Sequence, residues 1–213
     1  MRSRALVLCW ILLLTATTGA AAQGIYIGGK FGFGSTNYKV KEGGEEVGGI
    51  SAKTGVLSGV LGGYQTGSLI AVELQVLYAR KGFGSEVEDG DELKIDYIQI
   101  PLLARATFSQ DNLVNPRVFA GPIVGFETGC GWKPAGQLDT VTCPFETNST
   151  EVGVLLGGGI SISDPIQFTV DVTFDFGLTN VRGDGTSETS YKNSRLSFLF
   201  GIEYSFWERG GYY

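Results

Sequence analysis

Carboxylates are the commonest reactive groups in this chain, and histidine is absent. The 213 residues include 22 Asp and Glu against 16 Lys and Arg, which gives a net charge of −6. Hydrolysis and acyl transfer usually depend on a His as general acid or base. A Ser with only a carboxylate partner is a poor nucleophile, so the sequence favours a protein that is not an enzyme.

Acidic residues are concentrated in two polar segments. They are Glu42, Glu45 and Glu46, then Glu86, Glu88, Asp89, Asp91 and Glu92. One interpretation is solvated loop tips, and the other is binding of a divalent cation or another ligand. Because Asp89-Gly90-Asp91-Glu92 lacks the full spacing of a calcium loop, we assign no metal ligands and no cofactor.

The N-terminus has the three parts of a secretory signal peptide. Two arginines in residues 1–4 precede an apolar run at 5–14, and small residues close the segment at 19–22. The apolar run is too short for a membrane-spanning helix, which needs about 20 such residues. Cys9 lies inside the run, whereas a lipoprotein anchor would close it. We therefore predict a signal peptide at 1–22, cleaved after Ala22, and one domain at 23–213.

Two cysteines remain after that cleavage, Cys130 and Cys143. An even pair in an exported chain indicates a disulfide, because the periplasm is oxidising. A metal-binding pair is the rival interpretation, but the sequence offers no third or fourth soft ligand nearby. We predict the disulfide.

Alternation of apolar and polar residues with period two is the strongest structural signal. It is cleanest at 166–179. One face of that segment contains Ile166, Phe168, Val170, Val172, Phe174, Phe176 and Leu178, and the other is polar or Gly. No helix separates those sets, because successive helical residues differ by about 100° rather than 180°. Residues 195–206 alternate similarly, with Leu199 as the exception.

Six less regular segments alternate as well, at 25–34, 55–64, 70–79, 97–108, 117–127 and 151–162. In the segment 55–64, apolar residues fall on both faces and leave its facing ambiguous. The links between segments alternate between long and polar (39–53, 82–94, 129–150, 181–194) and short (66–68, 109–116, 164–165). This pattern predicts an all-β fold, an eight-stranded antiparallel up-and-down transmembrane β-barrel. The rival is a soluble barrel of lipocalin type, whose apolar residues would point inward.

In a transmembrane barrel the polar faces point into the lumen. The predicted interior charges are Lys30, Glu73, Arg105, Glu127, Asp171, Asp175 and Glu203, with Arg195 as a further candidate. Acids outnumber bases in this set, so we expect shared Arg and Lys contacts, trapped water or a protonated carboxyl. Glycines on the same faces leave room in a narrow lumen. None opens a helix after a strand, so no nucleotide-binding motif is assigned.

The last strand resembles the terminal signal by which the barrel-assembly machinery recognises outer-membrane proteins. The matching residues are Gly201, Tyr204 and Phe206, although seven residues follow the final aromatic here. The resemblance implies that this machinery is a partner.

Other stretches resemble the porin-family outer-membrane β-barrel domain common in Bacteroidota. They are 73–82 (ELQVLYARKG), 97–103 (YIQIPLL), 120–122 (AGP) and 204–206 (YSF). The resemblance implies an architecture like that of small OmpA- and OmpX-like barrels in the outer membrane of a Gram-negative cell. It carries over no catalytic residues, and the word porin does not establish a pore.

We expect a structural or surface-interaction protein that displays four extracellular loops from a closed, side-chain-filled barrel. The alternative is a narrow passive channel for ions or small solutes, although wide aqueous lumens need about 16 strands. The expected partners are outer-membrane lipid and lipopolysaccharide, the barrel-assembly machinery and a surface ligand of unknown identity. Nucleic acid is not expected to bind.

Overall fold

The structure is a computed structural model. It describes residues 24–42, 45–47, 50–66, 69–85, 92–108, 113–133, 141–143, 149–162, 166–179 and 190–206. The predicted signal peptide at 1–22 and the acidic segment at 86–91 therefore lie outside the described residues.

Ten strands are present in the described residues, and all their pairings are antiparallel. They are β1 (Gly24–Glu42), β2 (Glu45–Val47), β3 (Ile50–Gln65), β4 (Ile70–Ser85), β5 (Glu92–Thr107), β6 (Val114–Lys133), β7 (Val141–Thr142), β8 (Thr150–Ile162), β9 (Ile166–Gly177) and β10 (Ser190–Ser205). Eight of them form the wall in chain order, and β1 pairs with β10 to close it. The predicted eight-stranded antiparallel barrel is confirmed.

The two short strands lie at one end of the barrel. β2 pairs with the last residues of β1, and β7 pairs with the last residues of β6. We call this end the loop end. The opposite end, where β3 turns into β4, β5 into β6 and β8 into β9, is the turn end. Residues 24 and 206 also lie at the turn end.

The strands extend further toward the loop end than the alternation predicted. β1 continues to Glu42 and β10 already begins at Ser190, inside segments that we expected to be links. Beyond the apolar part of the wall, both faces of a strand can carry polar residues. The strands therefore remain hydrogen-bonded there, although their sequences no longer alternate between apolar and polar residues. The predicted long links are therefore shorter than expected.

The ambiguous strand, β3, has a definite facing. Leu57 and Leu61 are buried in the interior, whereas Val56 and Val60 are exposed on the outer surface. The sequence could not decide this facing, because the interior contains apolar side chains as well as polar ones.

The outer surface has a belt of exposed apolar side chains around the wall. We call this surface the apolar belt, and on β1, β4, β9 and β10 it includes Ile25 to Phe33, Ile70 to Val76, Ile166 to Leu178 and Leu196 to Tyr204 at alternate positions. Its height is about seven to thirteen residues per strand, which brackets the roughly 9–11 residues of a strand that crosses a bilayer. A soluble lipocalin-type barrel would have the opposite polarity, so that rival is excluded.

Two interior glycines mark places where neighbouring strands approach closely. A Cβ atom on Gly121 would overlap the carbonyl oxygen of Leu102, and one on Gly32 would overlap that of Phe198. Both obstacles are backbone atoms, which cannot rotate away as a side chain would. Glycine at these positions therefore permits the tight curvature of a narrow barrel.

We predict that Gly121→Ala destabilises the folded barrel by about 1–3 kcal/mol, the usual cost of overpacking. Gly129→Ala, on the same strand, is the matched control, because a Cβ there meets nothing within 4 Å. Urea titration of both variants after refolding into lipid vesicles provides the measurement. Equal stability of the two variants would contradict the close approach at Gly121.

Candidate functional site

Six charged side chains from six strands meet in the half of the lumen nearer the turn end. They form a closed cycle of alternating sign, which we call the ion-pair ring: Lys30, Glu73, Arg105, Glu203, Arg117 and Asp171. All six side chains are less than one-tenth exposed. Three cations face three anions, so the ring has no net charge.

Each cation in the ring bridges two carboxylates. Lys30 Nζ lies 3.2 Å from Glu73 Oε1 and 3.2 Å from Asp171 Oδ2. Arg105 Nη1 lies 2.9 Å from Glu73 Oε2 and 2.8 Å from Glu203 Oε2. Shared contacts of this kind leave each buried charge with more than one partner, which offsets the cost of removing it from water.

Arg117 makes the most extensive contacts in the ring. Its Nε and Nη2 donate to the two carboxylate oxygens of Asp171 at 2.8 and 2.6 Å, and its Nη1 donates to Glu203 Oε1 at 2.7 Å. The two-pronged contact with Asp171 is the strongest geometry available to a guanidinium. Arg117 therefore joins β6 to β9 and β10 across the lumen.

Neutral and aromatic groups complete the surroundings of Glu73. The Tyr26 hydroxyl donates to Glu73 Oε2 at 3.0 Å, and the amide of Gln75 donates to Oε1. The Tyr26 ring also lies under the Arg105 guanidinium, whose Cζ is 4.2 Å from the ring centroid. These contacts fix the positions of the charges and leave little room for a solute.

A second group of buried charges lies nearer the loop end. Lys81 Nζ is 2.9 Å from each carboxylate oxygen of Glu151. Asp175 is the register partner of Arg195 across β9 and β10, and both side chains are almost fully buried. We call these four residues the loop-end charge cluster, which has no net charge.

Two clusters of buried apolar side chains lie between the two charged groups. We call them the apolar layer: Leu103, Phe119, Ile123 and Leu155 in one cluster, and Leu57, Ala79 and Leu199 in the other. The order of residues along the strands gives the position of these clusters along the barrel axis. On β10, for example, Leu199 lies between Glu203 and Arg195. In the same way, Ala79 lies between Glu73 and Lys81 on β4. Leu199, the exception to the alternation, belongs to this layer.

Several buried polar atoms near the loop-end charge cluster make no hydrogen bond within the protein. They are Thr36 Oγ1, Asp175 Oδ1, Asn193 Oδ1 and Nδ2, and Ser197 Oγ. Buried polar groups are normally paired with protein or ordered water. Ordered water at this level of the lumen would satisfy these atoms.

The predicted interior charges are distributed over three places. Lys30, Glu73, Arg105, Asp171 and Glu203 lie in the ion-pair ring, and Asp175 and Arg195 in the loop-end charge cluster. Glu127 lies apart from both groups, half-buried on β6, where its register partner on β5 is the buried Tyr97.

Three charged residues in these two groups were missed in the sequence: Lys81, Arg117 and Glu151. Arg117 and Glu151 already lie on the polar faces of predicted strands, and two more residues of alternation after Ala79 reach Lys81. The expected excess of acids was therefore wrong for the buried set. Its described members are Lys30, Lys81, Arg105, Arg117 and Arg195 against Glu73, Glu151, Asp171, Asp175 and Glu203.

The predicted disulfide is confirmed. Cys130 and Cys143 are bonded, with their Cα atoms 5.6 Å apart. The bond joins β6 to the residue that follows β7, and it therefore fastens the β6–β7 hairpin at the loop end.

The three residues of the terminal signal lie on or next to the last strand. Gly201 pairs with Lys30 on one side and Thr169 on the other. Tyr204 and Phe206 are exposed on the outer surface, with ring centroids 5.1 Å apart in an edge-to-face arrangement. The two rings are therefore presented together at the turn end.

Neither metal sites nor membrane helices were found in the described part of the chain. No group of three or more His, Cys, Asp or Glu side chains there is arranged to hold a metal ion. No helix there is long and apolar enough to cross a membrane.

A closed antiparallel wall, an apolar outer belt and a charged interior together define a transmembrane β-barrel. Residues 21–183 match the sequence model of the outer membrane protein beta-barrel domain family. The chain belongs to this family and is a protein of the Gram-negative outer membrane.

Solved structures of other small outer-membrane barrels have the same fold. The outer membrane protein OprG from Pseudomonas aeruginosa is similar with a TM-score of 0.57 and 14% sequence identity, over 89% of this chain and 99% of that chain. Neisserial surface protein A (NspA) is similar with a TM-score of 0.51 and 13% identity, over 87% of this chain and 99% of that chain. At these identities the likeness concerns the fold alone. No curated protein sequence matches the chain significantly.

Proposed function

We propose that the protein is a closed outer-membrane barrel with a structural or surface-interaction role, which acts through its loop end and not as an enzyme or an open pore. The observation that carries this proposal is the apolar layer between two charged groups. Short turns face the periplasm in barrels of this class, so the loop end would face the outside of the cell and display its four connections there.

The apolar layer supports a closed lumen for an energetic reason. An ion that crosses it would lose its hydration and meet mainly apolar side chains, with only a few buried polar neighbours such as Gln99 and Thr173. That exchange is costly. The ion-pair ring adds a second obstacle, because its six side chains are already paired across the lumen and fill it. An eight-stranded barrel is just wide enough to be filled in this way.

A narrow passive channel is the second candidate, and the unpaired polar atoms near Asp175 and Asn193 favour it. If water fills that part of the lumen, a solute entering from the loop end would find its path blocked at the apolar layer. The two candidates therefore differ in whether this layer opens.

We predict that the wild-type protein, reconstituted in planar bilayers, gives no large, steady conductance. Leu155→Ser, which places a hydroxyl in the apolar layer, should increase ion flux, because Leu155 is only 3% exposed and faces the lumen. Its neighbour Leu156 is 46% exposed on the lipid side, so Leu156→Ser is the matched control and should leave the flux unchanged. A persistent porin-sized current from the wild-type monomer would make the channel the leading candidate.

Export and assembly complete the proposal. The segment 1–22 would be a cleaved signal peptide, with Gln23 as the mature N-terminus. Gly201, Tyr204 and Phe206 would be recognised by the barrel-assembly machinery, and the exposure of both rings at the turn end supports this role. Outer-membrane lipid, lipopolysaccharide and a surface ligand are the proposed partners of the folded barrel.

A further inference from the structure

The outer surface changes character directly above the apolar belt on the loop-end side. On four strands the next outward side chains are small and uncharged: Ser35 and Asn37 on β1, Thr54 on β3, Thr128 on β6 and Ser194 on β10. On β4 and β5 the equivalent positions hold Arg80, Asp96 and Lys94. Among the side chains that the structure describes at this level, charge is thus confined to one side of the barrel.

Arg80 is held in a defined position at the edge of the belt. Its Nε lies 2.8 Å from Asp96 Oδ1, and its Nη2 donates to the Tyr78 hydroxyl at 2.9 Å. The Arg80 side chain nevertheless remains 48% exposed. Guanidinium donors on this exposed surface are therefore oriented and still accessible.

Two lysines continue the same surface away from the belt. Lys94 lies two residues beyond Asp96 on β5, and its register partners on both sides are glycines, Gly82 and Gly131. Lys133, half-buried, lies two residues beyond Gly131 on β6. We call Arg80, Lys94 and Lys133 the basic edge. Two acids accompany these three cations, because Glu92 is the register partner of Lys133 as Asp96 is that of Arg80. The cations outnumber the acids here on a chain whose net charge is −6.

We propose that the basic edge binds the phosphate groups of lipid A, the membrane anchor of lipopolysaccharide, in the outer leaflet. This inference rests on the proposed orientation, which places the loop end outside the cell. Charged side chains that border the apolar belt lie at the level of lipid headgroups. Arg offers two-pronged donors to phosphate oxygens, and Lys adds a compact positive charge.

Asp96 has two opposing effects on anion binding at the basic edge. It orients Arg80, but its own charge repels an anion. Removal of the cations should therefore weaken binding, whereas removal of the Asp96 carboxylate should strengthen it.

The test uses the full-length barrel in nanodiscs that contain phosphatidylcholine and a small fraction of bisphosphorylated lipid A. Native mass spectrometry measures the lipid A retained by each barrel. In the variant Arg80→Gln/Lys94→Gln we expect retention to fall about 25-fold, since each basic residue near an anionic membrane surface contributes roughly a factor of five. Asp96→Asn should increase retention. Lipid A stripped of its phosphates should bind the wild type and the double variant equally.

Lys39→Gln/Lys41→Gln is the matched control, because it removes the same charge from the loop-end part of β1. An equal loss of lipid A in this control, or no loss in Arg80→Gln/Lys94→Gln, would overturn the inference. The conductance measurement is independent of lipid A. A closed barrel without lipid A preference would therefore refute the basic edge alone, whereas a conducting barrel would refute the proposed function.

Discussion

Replacing Arg117 with Met is expected to lower the free energy of unfolding by about 3–5 kcal/mol, the usual cost of breaking a buried ion pair by removing one partner. Met fills a similar volume, so the loss would come from charge rather than from a cavity. Within the ion-pair ring, Asp171 would keep only Lys30 as a partner, and Glu203 only Arg105. Urea titration of the barrel refolded into vesicles would measure the change.

Two further variants separate the effect of burial from the effect of charge. Arg80→Met removes an exposed ion pair at the edge of the apolar belt and should cost only about 0–1 kcal/mol. Adding Glu203→Gln to Arg117→Met removes one of the stranded carboxylates and should restore part of the lost stability. If Arg117→Met and Arg80→Met had equal effects, the ion-pair ring would not stabilise the barrel as we describe.

Replacing Phe200 with Arg is expected to impair folding into bilayers by about 2–4 kcal/mol, because an Arg at mid-membrane depth on the lipid face loses its hydration. Phe200 lies midway between Leu196 and Tyr204, near the ends of the apolar belt on β10, and is 51% exposed. The heat-dependent mobility shift of folded barrels on gels reports the folded fraction in vesicles of defined lipid.

Thr54→Arg is the control for the lipid face. Thr54 also points outward, but it lies beyond the apolar belt on β3, where an Arg would remain hydrated. It should fold like the wild type. A folding defect of the same size in both variants would mean that the belt does not mark the membrane.

The strands that face lipid most regularly were the easiest to predict from the sequence. On β9 and β10 nearly every second residue is apolar, since one face contacts hydrocarbon and the other faces a polar interior. The alternation did not predict the parts of the strands near the loop end, and the reason is physical. Strands beyond the bilayer have water on the outer face, so pairing continues there without a hydrophobic signal.

The composition of the interior could be predicted only in part from the sequence. The facing of Arg105 and Asp171 follows from their own strands, but the ring in which they meet depends on the stagger between strands. Arg117 contacts Asp171, which lies 54 residues away in the chain. No local sequence pattern predicts a contact over that separation. The apolar layer at Leu57 and Leu199 also disturbs the alternation itself, because it places apolar residues on the inner face.

The pairing of β1 with β10 has a consequence for biogenesis. This seam runs from Tyr26 opposite Ser205 to Lys41 opposite Ser190, so it joins the earliest strand to the latest one. A growing chain contains no closed subset of strands, and every intermediate has two unsatisfied edges that invite self-association. Circularisation must therefore wait for the final strand. Until then both end strands keep open hydrogen-bonding edges, so we expect an incompletely assembled barrel to self-associate rather than to persist as a monomer.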